Sequence, residues 1–269
     1  MTKIKPKSGI FKNSIPFIRF GKGQKIMLIF SGGPSNIFSM LFLKSIMHTL
    51  EPFSEEYAIY IVHRKSGLTQ NYTTINMADD YAEMINNEFN GKVYVIIGIS
   101  YGGLIAQHFA AKYSDLFNYI LFAMTAHLIT EEGKESDQQF AEQLSRRKYG
   151  TAITTVLGLK SRGFKALLKK AWFWLYIYFK CIPNRKTFSQ DMLIEARAEM
   201  EHDALSSLSN IKVPVLILCN DNDPYFPADV VKEMGDLIPH STVILYPNQG
   251  HVITDENYPN DILNFIRNK

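Results

Sequence analysis

Ser100 lies between Gly98 and Gly102, with Gly103 following, at the end of an apolar β-branched run (residues 93–97) and before an Ala-rich, helix-favouring segment (residues 104–113). A serine hydroxyl becomes a nucleophile when a neighbouring base takes its proton. The Gly-x-Ser-x-Gly spacing suits that use. A sharp strand-to-helix turn that holds a serine in a strained backbone conformation leaves no room for a Cβ two positions before or after it. The run is expected to break at Gly98, leaving the hydroxyl beside the start of a helix, where free N–H groups favour a developing negative charge. Candidate partners come later in the chain. Asp221 and Asp223 occupy a polar stretch (residues 220–227) after a strand-like run, and Gly250-His251 follows Asp223 by 28 residues. Acidic residues past a strand are ordinary turn formers, and a lone loop histidine is usually a surface residue. Serine, acid and histidine in that order, each at a strand end, is the more specific signal, because open-sheet sites form there.

A second glycine-rich turn, Ser31-Gly32-Gly33-Pro34-Ser35, follows the apolar strand expected at residues 26–30. Its freed backbone N–H at Gly33 and the N–H of Tyr101, just after Ser100, are expected to converge as two donors for an oxyanion.

The elements needed to position these groups alternate along the chain. Short edge strands are expected within residues 9–20, with a turn near Asn13 and Ser14, and further strands at 57–62, 117–124, 213–219 and 243–246. Ile75, Ala78, Tyr81, Ala82, Ile85 and Phe89 recur at helical spacing, and a further helix is expected at 228–238. This is an α/β pattern with a mostly parallel sheet. The rhythm fails between residues 125 and 212, where 88 residues precede the next strand. The expected organisation is a core of residues 1–124 and 213–269, with 125–212 forming a helical cap or lid. Breaks are expected near Gly150, Gly158, Gly163 and Pro183. Aromatic stripes more often serve a core than a binding wall, and those at its middle are expected to face either the main domain or a pocket beneath the segment, with Trp172, Trp174 and Tyr176 the candidate walls. His127 and His202, also in this segment, are expected to face water.

Charge is unevenly spread. The net charge is +3, yet residues 146–186 hold eleven Lys or Arg and no Asp or Glu. That segment reads as solvated helix faces or as a surface for peripheral contact with an anionic membrane; no nucleic-acid partner is expected. The apolar run at 171–179 has nine residues, short of the ~20 a spanning helix needs. Two distant cysteines, Cys181 and Cys219, imply neither a disulfide framework nor a zinc site, and with no leader-like N-terminus the expectation is a cytoplasmic protein. No cofactor or metal is expected, and oligomeric state is not indicated.

Four ordered motifs carry a resemblance to α/β-hydrolase-fold proteins over almost the whole chain: Ser31-Gly32-Gly33-Pro34, Gly98 to Gly103, Asn220 to Pro227, and Gly250-His251. The resemblance implies a serine hydrolase in which Ser100 attacks a carbonyl, His251 relays its proton and an acid orients the imidazole. Asp223 matches the acid position by its distance before Pro227, with Asp221 the alternative. There are departures: Ser31 stands where the family's oxyanion turn often has His, and the usual Asp-x-Arg-Gly-x-Gly segment survives only as Arg64 and Gly67. The implied substrate is a small molecule with an apolar acyl group, a carboxyl ester foremost. Thioesters, prolyl peptides and carbon–carbon cleavage are neighbouring chemistries, and a non-catalytic receptor on the same fold is the alternative of a different class. The Gly-Gly-Pro turn resembles that of proline iminopeptidases, but the central part of the cap offers no carboxylates to hold an amine.

Overall fold

The structure is a computed structural model that describes residues 5–33, 40–156, 164–182, 184 and 186–267. The expectations resting on Pro34, Ser35, Gly158, Gly163 and Pro183 lie outside the described residues. Eight strands form one sheet: β1 (Lys7–Ile10), β2 (Pro16–Phe20), β3 (Lys25–Phe30), β4 (Tyr57–Val62), β5 (Val95–Ile99), β6 (Tyr119–Ala123), β7 (Val215–Asn222) and β8 (Ser241–Gln249). Their order is β1-β2-β4-β3-β5-β6-β7-β8. The first two pairings are antiparallel and the remainder parallel, so β3 to β8 end at the same edge.

Parallel strands covered on both faces need apolar residues on both. β3 shows why: Leu28 and Phe30 enter one core, and Met27 and Ile29 the other. The first core packs α2 (Thr74–Glu88), α3 (Tyr101–Lys112) and α8 (Ala228–Leu237) through residues such as Met77, Leu104 and Val231. The second receives α1 (Met40–Thr49) and α9 (Tyr258–Arg267) through Leu43, Ile262 and Phe265. α2 is fixed at its start by a capping box in which Thr73 and Asn76 satisfy each other's backbone N–H groups.

Between β6 and β7 the chain runs through α4 (Glu131–Ser145), α5 (Tyr149–Val156), α6 (Phe164–Tyr176) and α7 (Phe188–Met200), with a π-helical turn at Ile177–Cys181. These helices build a third core around Leu144, Tyr149, Ile177 and Met192. α7 divides its faces. Phe188, Met192 and Ala196 join that third core, while Ile194 and Ala198 join the first.

Two sequence expectations are corrected. β5 continues through Gly98 to Ile99, because Gly98 pairs with both Phe30 and Phe122 in the ladder. Its missing side chain serves helix packing: a Cβ there would lie 2.6 Å from Ala106 Cβ. β7 extends to Asn222, so Asp221 lies in the strand and Asp223 just beyond it.

Candidate active site

The turn after β5 places Ser100 at φ 50° and ψ −121°, a left-handed backbone that a non-glycine residue adopts at a cost of order 1–3 kcal/mol. It is held from both sides. Ser100 N–H donates to Ala123 O at 2.9 Å, and Gly103 N–H donates to Ser100 O at 2.7 Å as α3 begins. The glycines permit the approach: a Cβ on Gly102 would stand 2.1 Å from Phe30 O, and one on Gly103 2.2 Å from Thr125 Cγ2.

His251 arrives from the loop after β8. Its Nε2 is 2.9 Å from Ser100 Oγ, and its Nδ1 is 2.8 Å from Asp223 Oδ2. A carboxylate only accepts, so Nδ1 carries the proton and Nε2 is left to accept from the serine hydroxyl. Asp223 is itself fixed, since its other oxygen accepts from Tyr225 N–H at 2.8 Å and Phe226 N–H at 3.3 Å. Asp221 instead accepts from the exposed Asn222 side chain. A register shift between Asn220 and Asn222 in the β7–β8 pairing turns the chain so that the next residue, Asp223, points at the imidazole.

The histidine loop is gripped by a residue that the sequence reading passed over. Asn220 is fully buried, and its amide donates to Gly250 O at 2.9 Å and Val252 O at 3.1 Å, one on each side of His251. The rings of Tyr225 and Phe226 pack on the imidazole at 4.9 Å and 5.8 Å between centroids.

The turn after β3 lies against the elbow, because a Cβ on Gly32 would fall 2.9 Å from Ile99 O and 3.1 Å from Ser100 Cβ. Gly33 takes φ 75°. Arg64 organises this turn. Its Nη1 donates to Ser31 O at 2.8 Å and its Nη2 to Gly33 O at 2.6 Å, while Nε and Nη2 bond Glu195 Oε2 at 3.1 Å and 2.7 Å. The guanidinium lies over the Tyr101 ring at 4.9 Å, and Tyr101 Oη donates to Glu195 O at 2.9 Å. Arg64 and Glu195 are both buried, and they tie the two sides of the elbow to α7.

α7 in fact carries three buried carboxylates at successive turns, Asp191, Glu195 and Glu199. Asp191 accepts from Gly67 and Leu68 N–H and from Thr187 Oγ1. Glu199 pairs with Asp137 of α4, and burial pushes both carboxyls up, Asp137 to about 6. Asp137 also accepts from Tyr225 Oη, at 3.5 Å. The sequence signal was present as an acid every four residues along one helix.

Two other expectations change. His127 and His202 do not face water: His127 is buried beside Glu233, and His202 contacts Thr74 Oγ1 at 3.1 Å and Gln107 Oε1 at 3.3 Å. Of the three aromatic positions, Trp174 and Tyr176 pack against the helical segment's own core. Trp174 donates its indole N–H to Arg147 O and stacks on Tyr178, whereas Trp172 is 56% exposed and stacks on the half-buried Tyr176. An outward ring at 172 sits on an outer face and not on a pocket wall. Among the described residues no set of three His, Cys, Asp or Glu gathers as metal ligands.

A mostly parallel sheet thus brings a serine, an imidazole and a carboxylate together at its carboxyl edge. The family model described as alpha/beta hydrolase fold matches residues 63–258, and the chain belongs to that family of hydrolases. It is similar to a probable acyltransferase from Methanothermobacter thermautotrophicus, 27% identical over 219 residues, covering 72% of this chain and 66% of that protein. It is also similar to a pimeloyl-[acyl-carrier protein] methyl ester esterase from Vibrio cholerae, 21% identical over 244 residues, with 86% and 88% covered. Among solved structures, a thermophilic esterase from Thermogutta terrifontis superposes with a TM-score of 0.69 at 22% identity, covering 98% of each chain.

Proposed function

We propose that the protein is a serine hydrolase that cleaves a carboxyl ester or related acyl bond through an acyl-enzyme on Ser100. The observation that carries this reading is the unbroken hydrogen-bond chain Asp223–His251–Ser100, with links of 2.8 Å and 2.9 Å, on a strained turn. Ser100 Oγ attacks the carbonyl carbon as its proton passes to His251 Nε2, and Asp223 stabilises the imidazolium. The N–H groups of Gly33 and Tyr101 receive the oxyanion; each such donor is worth about 3 kcal/mol. His251 returns the proton to the leaving group. Water, activated by the same imidazole, then releases the acid. The helical segment 125–212 acts as the lid over an apolar acyl chain. Relatives whose names describe acyl transfer and methyl ester cleavage support an acyl substrate.

A second reading, a peptidase acting on a free amino terminus, is favoured by the Asp137–Glu199 pair close to Tyr225 and His251. One experiment addresses both. A fluorophosphonate probe is expected to label the protein, with labelling lost in Ser100→Ala, and a panel of aryl esters and amino-acyl arylamides then assigns the bond. Absence of labelling in a folded parent protein refutes acyl-enzyme chemistry. Turnover of arylamides without esters transfers the assignment to the peptidase.

A further inference from the structure

α6 and the π-helical turn after it have two apolar faces, one buried and one largely exposed. Ile177 and Cys181 are buried in the helical segment's own core, and Phe173 on the same side is buried too. On the other side Leu168, Trp172, Leu175 and Phe179 recur at spacings of four, three and four, and each is more than half exposed. Helices that are apolar all round are normally buried all round. Leu167 adds a fifth exposed apolar side chain on the same helix.

The surroundings of this stripe are basic. Lys169 and Lys180 are exposed at its flank, and Lys170 is exposed further round the same helix. Arg147 and Lys148, at the corner whose backbone Trp174 holds through its indole N–H, are exposed as well. Residues 146–186 hold no acidic side chain, while the rest of the chain is net negative. Together these make an amphipathic surface of leucines and aromatics flanked by lysines, the chemistry of helices that lie in the interfacial plane of an anionic bilayer. Lysine stems lie along apolar surface while their ammonium groups reach the lipid phosphates. A second copy of the chain is the weaker occupant, because pairing the stripe with itself would press two acid-free basic faces together.

We propose that this face of α6 and the following turn docks the protein on an anionic lipid surface. No helix among the described residues is long and apolar enough to cross a membrane, so the contact is peripheral. The helical segment enters the fold directly after β6, whose Ala123 O holds the Ser100 N–H, so docking sets lipid against the segment that connects to the nucleophile turn. The proposal does not depend on which bond is cleaved.

The test uses the full chain and vesicles of phosphatidylcholine with and without an equal share of phosphatidylglycerol. The expected result is co-sedimentation with the anionic vesicles alone, weakened by salt and accompanied by a blue shift of tryptophan emission. Lys169→Glu with Lys180→Glu should lower partitioning by about tenfold or more. Leu168→Ser with Leu175→Ser should abolish the blue shift while phosphonate labelling stays at the parent level, which shows the fold intact. Failure of the parent to bind anionic vesicles, or unchanged binding by both variants, overturns the proposal. A dimer in solution that the leucine variant dissolves, without vesicle binding, reassigns the stripe to contact between copies and equally overturns it. Labelling by the phosphonate reports on the hydrolase reading separately.

Discussion

Arg64 shows how one side chain can serve both stability and chemistry. It spends its donors on two carbonyls of the turn that carries Gly33 and on Glu195, 131 residues away in sequence, and its own side chain is buried. Removing one member of such a pair strands a buried charge, at a cost of about 3–5 kcal/mol, whereas replacing both with apolar side chains is far milder. Arg64→Met is therefore expected to lose about 3 kcal/mol or more in urea unfolding, and Arg64→Met with Glu195→Leu to recover most of it. The double variant should still label more slowly with a phosphonate than the parent, because the carbonyls of Ser31 and Gly33 are no longer held. Equal labelling rates in the double variant and the parent would remove Arg64 from the positioning of the turn. Sequence inspection registers Arg64 as an isolated remnant of a motif, since nothing in a linear chain says that a carboxylate on a distant helix will neutralise it.

At the level of elements, the elbow depends on how closely β3, β5 and α3 approach. Gly102→Ala would put a methyl group 2.1 Å from Phe30 O, backbone that cannot move aside, and should destabilise the fold by about 3 kcal/mol and depress labelling of Ser100. Gly33→Ala is the control: a Cβ there meets nothing within 4 Å, so it should cost only the left-handed backbone penalty, about 1 kcal/mol. Thermal melts that rank the two in the opposite order would contradict the packing described. The strands and the serine turn were legible because β-branched runs and paired glycines report purely local constraints. α1 and α9 lie outside the elements expected from sequence, although Tyr258, Ile262, Phe265 and Ile266 mark α9 at helical spacing. The outward ring of Trp172 was not legible either, because an aromatic-rich helix looks the same in sequence whether one or both of its faces are covered. Asp223 was preferred to Asp221 on its distance before Pro227, but the register shift in the β7–β8 ladder that turns it toward the imidazole is a property of two strands together.

At the level of the whole molecule, buried ionisable groups make stability depend on pH in two opposed ways. Burial, aided by neighbouring His108 and His127, lowers His202 to about 3, so between 6.5 and 3 the unfolded chain binds a proton that the folded chain refuses. Stability from this group is lost as pH falls through that window, with a slope approaching about 1.4 kcal/mol per pH unit. Asp137, raised to about 6 by burial, acts the other way: between its ordinary value and 6 the folded chain keeps a proton that the unfolded chain releases. His202→Gln should flatten the acid loss in urea unfolding between pH 4 and 7, and Asp137→Asn should steepen it. Identical pH profiles for both variants and the parent would show that neither group changes its proton occupancy on folding.

The span of the chain between the reacting groups has one more consequence. Ser100 and His251 are 151 residues apart, and the imidazole rides on the loop beyond the outermost strand. During translation the serine emerges well before its base does. On the proposed mechanism, a ribosome-bound intermediate therefore carries an unactivated alcohol, and the reactive pair is assembled only once β8 has joined the sheet. Esters met by the growing polypeptide are left intact.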